Sequence, residues 1–184
     1  MIATNKTNLY QKTINSSIEI SGIGLHTGLD VNLRLENAPE DNGIKFIRID
    51  KKNNNIIDAI WSNVTATNLS TTISDNDLNI STIEHLMSAL SGMHIDNLNV
   101  YISGPEVPIM DGSSEPFVKL IEKNGIKEQN KKRKIIKIKK EIEVSNENGS
   151  AKLVPNNQFS IDFEIDFPSH LVSKQSCQLQ LING

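Results

Sequence analysis

Glu84 and His85 carry the densest chemistry in this chain, set in Ser81-Thr82-Ile83-Glu84-His85-Leu86. A metal-dependent hydrolase needs an imidazole on the metal and a carboxylate beside the metal-bound water. The metal lowers the pKa of that water, and the carboxylate takes its proton. Neighbours on a helix diverge by about 100°. The pair can therefore share a cleft only if the cleft lies off the first turn. The same residues also have a structural reading. Ser81-x-x-Glu84 matches a capping box, which would leave His85 an ordinary surface or core histidine. One imidazole cannot hold zinc alone, and the spacing is not that of His-Glu-x-x-His.

The other histidines, His26, His94 and His170, show no ligand spacing. His94 reads as a capping residue and His170 as part of a polar turn. Gly22-Ile-Gly24-Leu-His26-Thr-Gly28 fits neither G-x-G-x-x-G nor a P-loop and opens no helix. It reads as a strand-to-strand turn that carries His26 towards whatever cleft it borders. Asp111, in Pro108-Ile109-Met110-Asp111-Gly112-Ser113, reads either as a turn aspartate bonding nearby amides or as an acid that orients a ligand from behind.

Composition closes several routes. A net charge of -3 with 4% aromatic residues gives no global basic field for nucleic acid or anionic lipid. The basic run from Lys131 to Lys140 is interleaved by Ile135, Ile136 and Ile138, as in a strand with one solvated face. The single cysteine, Cys177, excludes an internal disulfide and a multi-cysteine zinc site, and fits a cytoplasmic protein. The segment from Met1 to Tyr10 is polar and lacks a signal peptide's apolar core. No apolar run approaches the ~20 residues of a membrane span. Asn53-Asn54-Asn55 reads as a loop.

The elements that must position these residues follow from periodicity. Alternation predicts strands at Ser17–Ser21, Val31–Leu35, Ile44–Ile49, Ile56–Trp61 and Leu98–Ile102. Ile83, Leu86, Met87 and Leu90 predict a helix from Ser81 to Gly92. A second helix is predicted from Ser113 or Ser114 to about Lys123, with Pro116 in its first turn and Asn124-Gly125 as its stop. The polar, basic stretch Lys127–Lys134 is a candidate boundary. Beyond it come strands only: Ile135–Val144, Ser150–Val154, Phe159–Phe167 and Cys177–Ile182. A sheet with one bare apolar face is unfinished, so this reading expects a fragment of a longer protein or a tail that needs a partner. The fold class is α+β, with a first domain over 1–132 carrying Glu84 and His85, and the opening strands of a second over 133–184.

Four ordered segments carry a resemblance: Gly22 to Gly28; Asn68-Leu-Ser-Thr-Thr72; Ile80-Ser-Thr-Ile-Glu-His-Leu86; and Gly104-Pro-Glu-Val-Pro-Ile-Met-Asp-Gly-Ser113, followed by Pro116-Phe117. Ile95-Asp96-Asn97 also matches. Together they resemble the UDP-3-O-acyl-N-acetylglucosamine deacetylases, zinc enzymes of the lipid A pathway of Gram-negative bacteria. The resemblance implies two sheet-and-helix domains of similar topology meeting at an active site, the first complete here and the second truncated. It implies zinc as cofactor, His85 as one ligand and Glu84 as general base. Asn68, Leu69 and Ser70 would contact UDP-3-O-acyl-N-acetylglucosamine, and His26 would lie near the cleft. The family's other two zinc ligands, in a His-Lys-x-x-Asp motif, and its general-acid histidine have no match in this sequence. The chain by itself is therefore expected to be inactive and prone to self-association. The alternative is a non-catalytic binding or regulatory module that keeps the fold.

Overall fold

A computed structural model describes residues 9–53 and 55–180. Most of the polar N-terminal stretch, the middle of the Asn53–Asn55 tract and the end of the last predicted strand, at Leu181 and Ile182, lie outside the described residues. The backbone divides into one compact unit, Tyr10–Arg133, and a second from Lys134 onward.

The first unit is built on a five-stranded sheet. Its strands are β2 (Ile18–Ile23), β3 (Asp30–Asn37), β4 (Ile44–Arg48), β5 (Ile56–Asp58) and β9 (Leu98–Ile102), in the order β2-β3-β9-β4-β5. Period-two patterning sets their faces. Val31, Leu33 and Leu35 point inward from β3, and Leu98, Val100 and Ile102 from β9. β9 pairs antiparallel with β3 but parallel with β4. A parallel pair needs a long crossover. Here it runs through β5, a 3₁₀ turn at Trp61–Asn63, a second sheet and the helix α1 (Glu84–Gly92). The second sheet, β6 (Val64–Ala66), β7 (Thr72–Asp75) and β8 (Leu78–Ile80) in that order, lies in a stretch with no clear alternation and was not foreseen. Nor was β1 (Tyr10–Ile14), which pairs with β10 (Ile126–Lys132). The polar stretch expected as a boundary thus folds mainly as a strand.

Two helices complete the core. Leu86, Ala89 and Leu90 of α1, and Phe117 and Ile121 of α2 (Glu115–Asn124), are buried in one cluster with the inward faces of the strands. The end of α1 lies where the sequence places it, with His94 in a capping role. Gly92 is its last residue, Met93 its C-cap, and His94 takes the left-handed conformation with φ 57°. The amides of His94 and Ile95 donate back to the carbonyls of Ser91 and Leu90, a Schellman motif with histidine where glycine is usual. Predicted strand Ile56–Trp61 ends at Asp58. Asp96 and Asn97 tie the end of α1 to β1: the Lys12 amide donates to Asp96 Oδ2 (2.9 Å), and Asn97 Nδ2 donates to Gln11 and Gln129. That matched segment is a structural knot rather than chemistry.

The second unit consists of two separate hairpins among the described residues. β11 (Ile142–Asn146) pairs with β12 (Gly149–Leu153), and β13 (Ser160–Asp166) with β14 (Lys174–Gln180). No strand forms over Ile135–Glu141, where Ile135 and Ile136 are both exposed, so the expected one-sided strand is absent there. Phe159, Ile161 and Phe163 are also exposed. Among the described residues there is no helix long and apolar enough to cross a membrane.

Candidate functional site

The predicted capping box does not form. Helix α1 begins at Glu84, with Ile83 as N-cap and no side-chain cap bond. Ser81 lies in a one-residue parallel bridge to Glu106, donating its amide to Pro105 O (2.9 Å) and accepting from the Val107 amide (3.1 Å). Its hydroxyl also goes to Pro105 O. Glu84 reaches elsewhere: its Oε2 accepts the Thr71 amide at 2.9 Å. The reason is backbone direction. Thr82 sits at φ 56°, a left-handed conformation that a β-branched residue rarely adopts. It turns the chain between the bridge and the helix, and so removes the geometry a capping box needs.

Glu84 and His85 therefore open α1 together, both half-buried. Oε2 of Glu84 is anchored and Oε1 has no hydrogen bond among the described residues. His85 Nδ1 is buried without a partner, and it is the one buried side-chain polar atom of the described residues in that state. Leaving such a group unpaired costs about 1–3 kcal/mol. Functional sites are where such costs collect.

The Thr71 amide that anchors Glu84 follows directly on the bend Asn68-Leu69-Ser70, between β6 and β7. Asn68 and Leu69 are exposed, and Ser70 is half-buried. Leu69 has φ 62° and is 84% exposed, an apolar side chain in a strained conformation held out to solvent. Met110, at φ 55°, is a third strained non-glycine residue in these segments. Such residues cost of order 1–3 kcal/mol each and cluster where function needs them.

Glu106 was not singled out from the sequence, yet it joins three of the segments. It is fully buried. Oε1 accepts from the His26 amide (2.9 Å) and the Thr82 hydroxyl (3.0 Å). Oε2 accepts from the Thr27 amide (2.9 Å) and the Thr27 hydroxyl (2.8 Å). Burial opposes ionisation of Glu106, but these hydrogen bonds outweigh it and hold the carboxyl below its ordinary value of 4.5. The glycines make the approach possible. A Cβ on Gly24 would lie 2.5 Å from Glu106 Oε2, and one on Gly22 would lie 2.8 Å from Pro108 Cβ. The Ile109 amide donates to Ile23 O (3.0 Å), adding a main-chain tie.

A family model for "LpxC: UDP-3-O-acyl N-acetylglycosamine deacetylase" matches residues 11–184. The chain belongs to this family. It is 48% identical over 157 residues to the UDP-3-O-acyl-N-acetylglucosamine deacetylase of Teredinibacter turnerae, covering 85% of this chain and 52% of that protein. It is 41% identical over 172 residues to the one from Syntrophus aciditrophicus, covering 94% of this chain and 55% of that protein. It is also 39% identical over 175 residues to a bifunctional enzyme LpxC/FabZ of Porphyromonas gingivalis, covering 94% and 38%. The chain spans about half the length of the deacetylases it matches.

Within this LpxC-family chain, the remaining site candidates fall as follows. His26 is exposed, and its backbone rather than its ring is held by Glu106. Asp111 is exposed and closes its own turn: Oδ1 accepts from the Ser113 amide (2.9 Å) and hydroxyl (2.8 Å), bonds that hold its carboxyl below the ordinary value. The described residues contain no group of three His, Cys, Asp or Glu able to hold a metal ion. His85, with its unpartnered nitrogen, fits one ligand position, and these residues do not complete a site.

Proposed function

We propose that the whole protein is a zinc-dependent deacetylase of lipid A biosynthesis, acting in the cytoplasm. It would hydrolyse the acetamide of UDP-3-O-acyl-N-acetylglucosamine and release acetate. The observation that carries this reading is the pairing, in an LpxC-family chain, of a half-free carboxylate and an orphaned imidazole at the opening turn of α1. In the proposed division of labour, residues 1–132 form the domain that carries this pair, and 133–184 open a second. Zinc, when bound, would polarise the acetamide carbonyl and acidify water, with His85 as one protein ligand. Glu84 would take the proton from that water through Oε1, while the Thr71 amide on Oε2 keeps the carboxylate from swinging away. Leu69 and its neighbours Asn68 and Ser70 would contact the substrate, and the exposed ring of His26 would border it. Asp111 is proposed to stiffen the turn after Met110.

The test is acetate release with zinc content measured on the same samples of the whole protein. Glu84→Ala is expected to lower turnover by roughly 10²–10⁴-fold, the usual worth of a positioned general base, with zinc retained. His85→Ala is expected to lose zinc. Zinc loss in the Glu84 variant, with unchanged turnover per bound metal, would reverse these two roles.

A further inference from the structure

Glu84 and His85 sit on α1, and His26 sits on the β2–β3 loop. Nothing in the β-sheet fixes one to the other, since the loop lies beyond the paired ends of β2 and β3. Main-chain bonds tie Ser81 to Pro105 and Val107, and Ile109 to Ile23 at the edge of the loop, but among the described residues the side chain that bonds both the loop and the turn is a single carboxylate. Glu106 holds the amides of His26 and Thr27 on one side and the Thr82 hydroxyl, two residues before Glu84, on the other. We propose that Glu106 is the positioning residue of this site, setting the turn that aims Glu84 and His85 in register with the loop that carries His26. The proposal rests on the functional reading above for its catalytic consequence, but not for its geometry.

The argument is one of donor and acceptor pattern. Four donors converge on the carboxylate, two per oxygen. A glutamine has the same size but only one acceptor oxygen. Placed at 106, its NH₂ must face either the His26 amide or the Thr27 amide. Neither can accept, so at least one backbone amide is left facing a donor. Hydroxyls can rotate to accept from the NH₂, but backbone amides cannot. Glu106→Gln therefore breaks at least one of the two amide ties that hold the loop to the carboxylate, while filling the same space. Thr82→Val keeps the β-branched shape and removes only the hydroxyl, cutting the turn's side-chain tie to Glu106. It serves if Glu106→Gln does not fold.

Two readouts separate this from a merely structural role. In the whole enzyme, Glu106→Gln is expected to lower kcat by about 10–100-fold, because small misplacements of reacting groups cost that much. KM is expected to stay within about threefold, since uniform binding is not removed. Thr82→Val is expected to shift kcat the same way by a smaller factor. Ile57→Val, a core truncation in β5, supplies the control: it is expected to lower Tm while kcat holds. A kcat loss in Ile57→Val as large as in Glu106→Gln would overturn the proposal. The second readout does not depend on activity. In ¹⁵N NMR spectra of this 184-residue chain, Glu106→Gln is expected to move the His85 ring nitrogens and the Thr71 amide, while amides of β3 and β9 stay in place. Unmoved His85 and Thr71 signals in a folded variant would overturn the positioning role even if turnover falls. Absence of deacetylase activity in the parent enzyme, with these signals moving, would sink the functional reading and leave the positioning of Glu106 standing.

Discussion

At the scale of single residues, two carboxylates bear on stability because donors aimed at them hold them ionised. Glu106 is one case. Asp50 is another: Arg48, 6% exposed, gives it Nε at 2.8 Å and Nη2 at 2.6 Å, and spends Nη1 on Asn79 O. The Arg48 hydrogen bonds hold the Asp50 carboxyl below its ordinary value of 3.8, against the opposing effect of burial. Both carboxyls are lower in the folded than in the unfolded state, so the folded chain binds fewer protons. Their stabilisation is present in full above their unfolded values, near pH 4, and is lost as pH falls through the folded ones. Thermal melts of the chain are therefore expected to be insensitive to these two groups between pH 6 and 5, and to fall steeply below about pH 4. Asp50→Asn is expected to cost about 1–3 kcal/mol at pH 7, because Arg48 stays buried with its charge uncompensated. A melt at pH 7 matching the parent would show that Arg48 finds another partner.

At the scale of elements, the ends of the helices govern the site more than their middles do. The start of α1 is set by the left-handed Thr82 and by Glu84 turning to Thr71, not by a cap. Its end is a Schellman motif that His94 enters against the preference of its own backbone. Burial, with Arg133 and Lys12 nearby, holds the His94 imidazole below its ordinary value of 6.5, so it is neutral at pH 7. Replacing it costs no charge pairing. His94→Gly relieves a left-handed L-residue worth about 1–2 kcal/mol and gives back about 0.5–1 in chain entropy. It is expected to stabilise the chain by about 0.5–1 kcal/mol in urea titration. A loss of stability would mean that packing of the ring outweighs the strain. α2 ends without such a conflict, since Gly125 at φ 88° meets the requirement directly.

At the scale of the whole molecule, the two units differ in how they are held. The first has a shared core of strands and helices. The second offers two hairpins with exposed apolar side chains, and a two-stranded hairpin alone is marginal in water. Hydrogen exchange is expected to show the amides of β11 to β14 opening orders of magnitude faster than those of β3 and β9. Exposed Phe159, Ile161 and Phe163 are expected to drive concentration-dependent association of the 184-residue chain, read by light scattering. Equal protection in the two units, in a monodisperse sample, would show that the hairpins are covered. The same chain is expected to release no acetate alone, because one imidazole does not make a zinc centre.

The sequence by itself determined the strands with clean alternation, such as Val31–Leu35 and Leu98–Ile102, because a period of two survives any arrangement of neighbours. It determined the existence of both helices, the Gly125 stop and the family, because ordered motifs do not depend on knowing what they touch. The β6-β7-β8 sheet and the β1–β10 pair were beyond it, since short or polar strands earn their pairing from distant partners. The local signal at Ser81-x-x-Glu84 was misleading for the same reason: the Pro105–Val107 bridge and the Thr71 amide outcompeted a cap that only local geometry favoured. Glu106 looked like one acid among many. Only the tertiary structure gathered His26, Thr27 and Thr82 around it, because a hydrogen bond between residues 80 positions apart leaves no periodic trace in the chain.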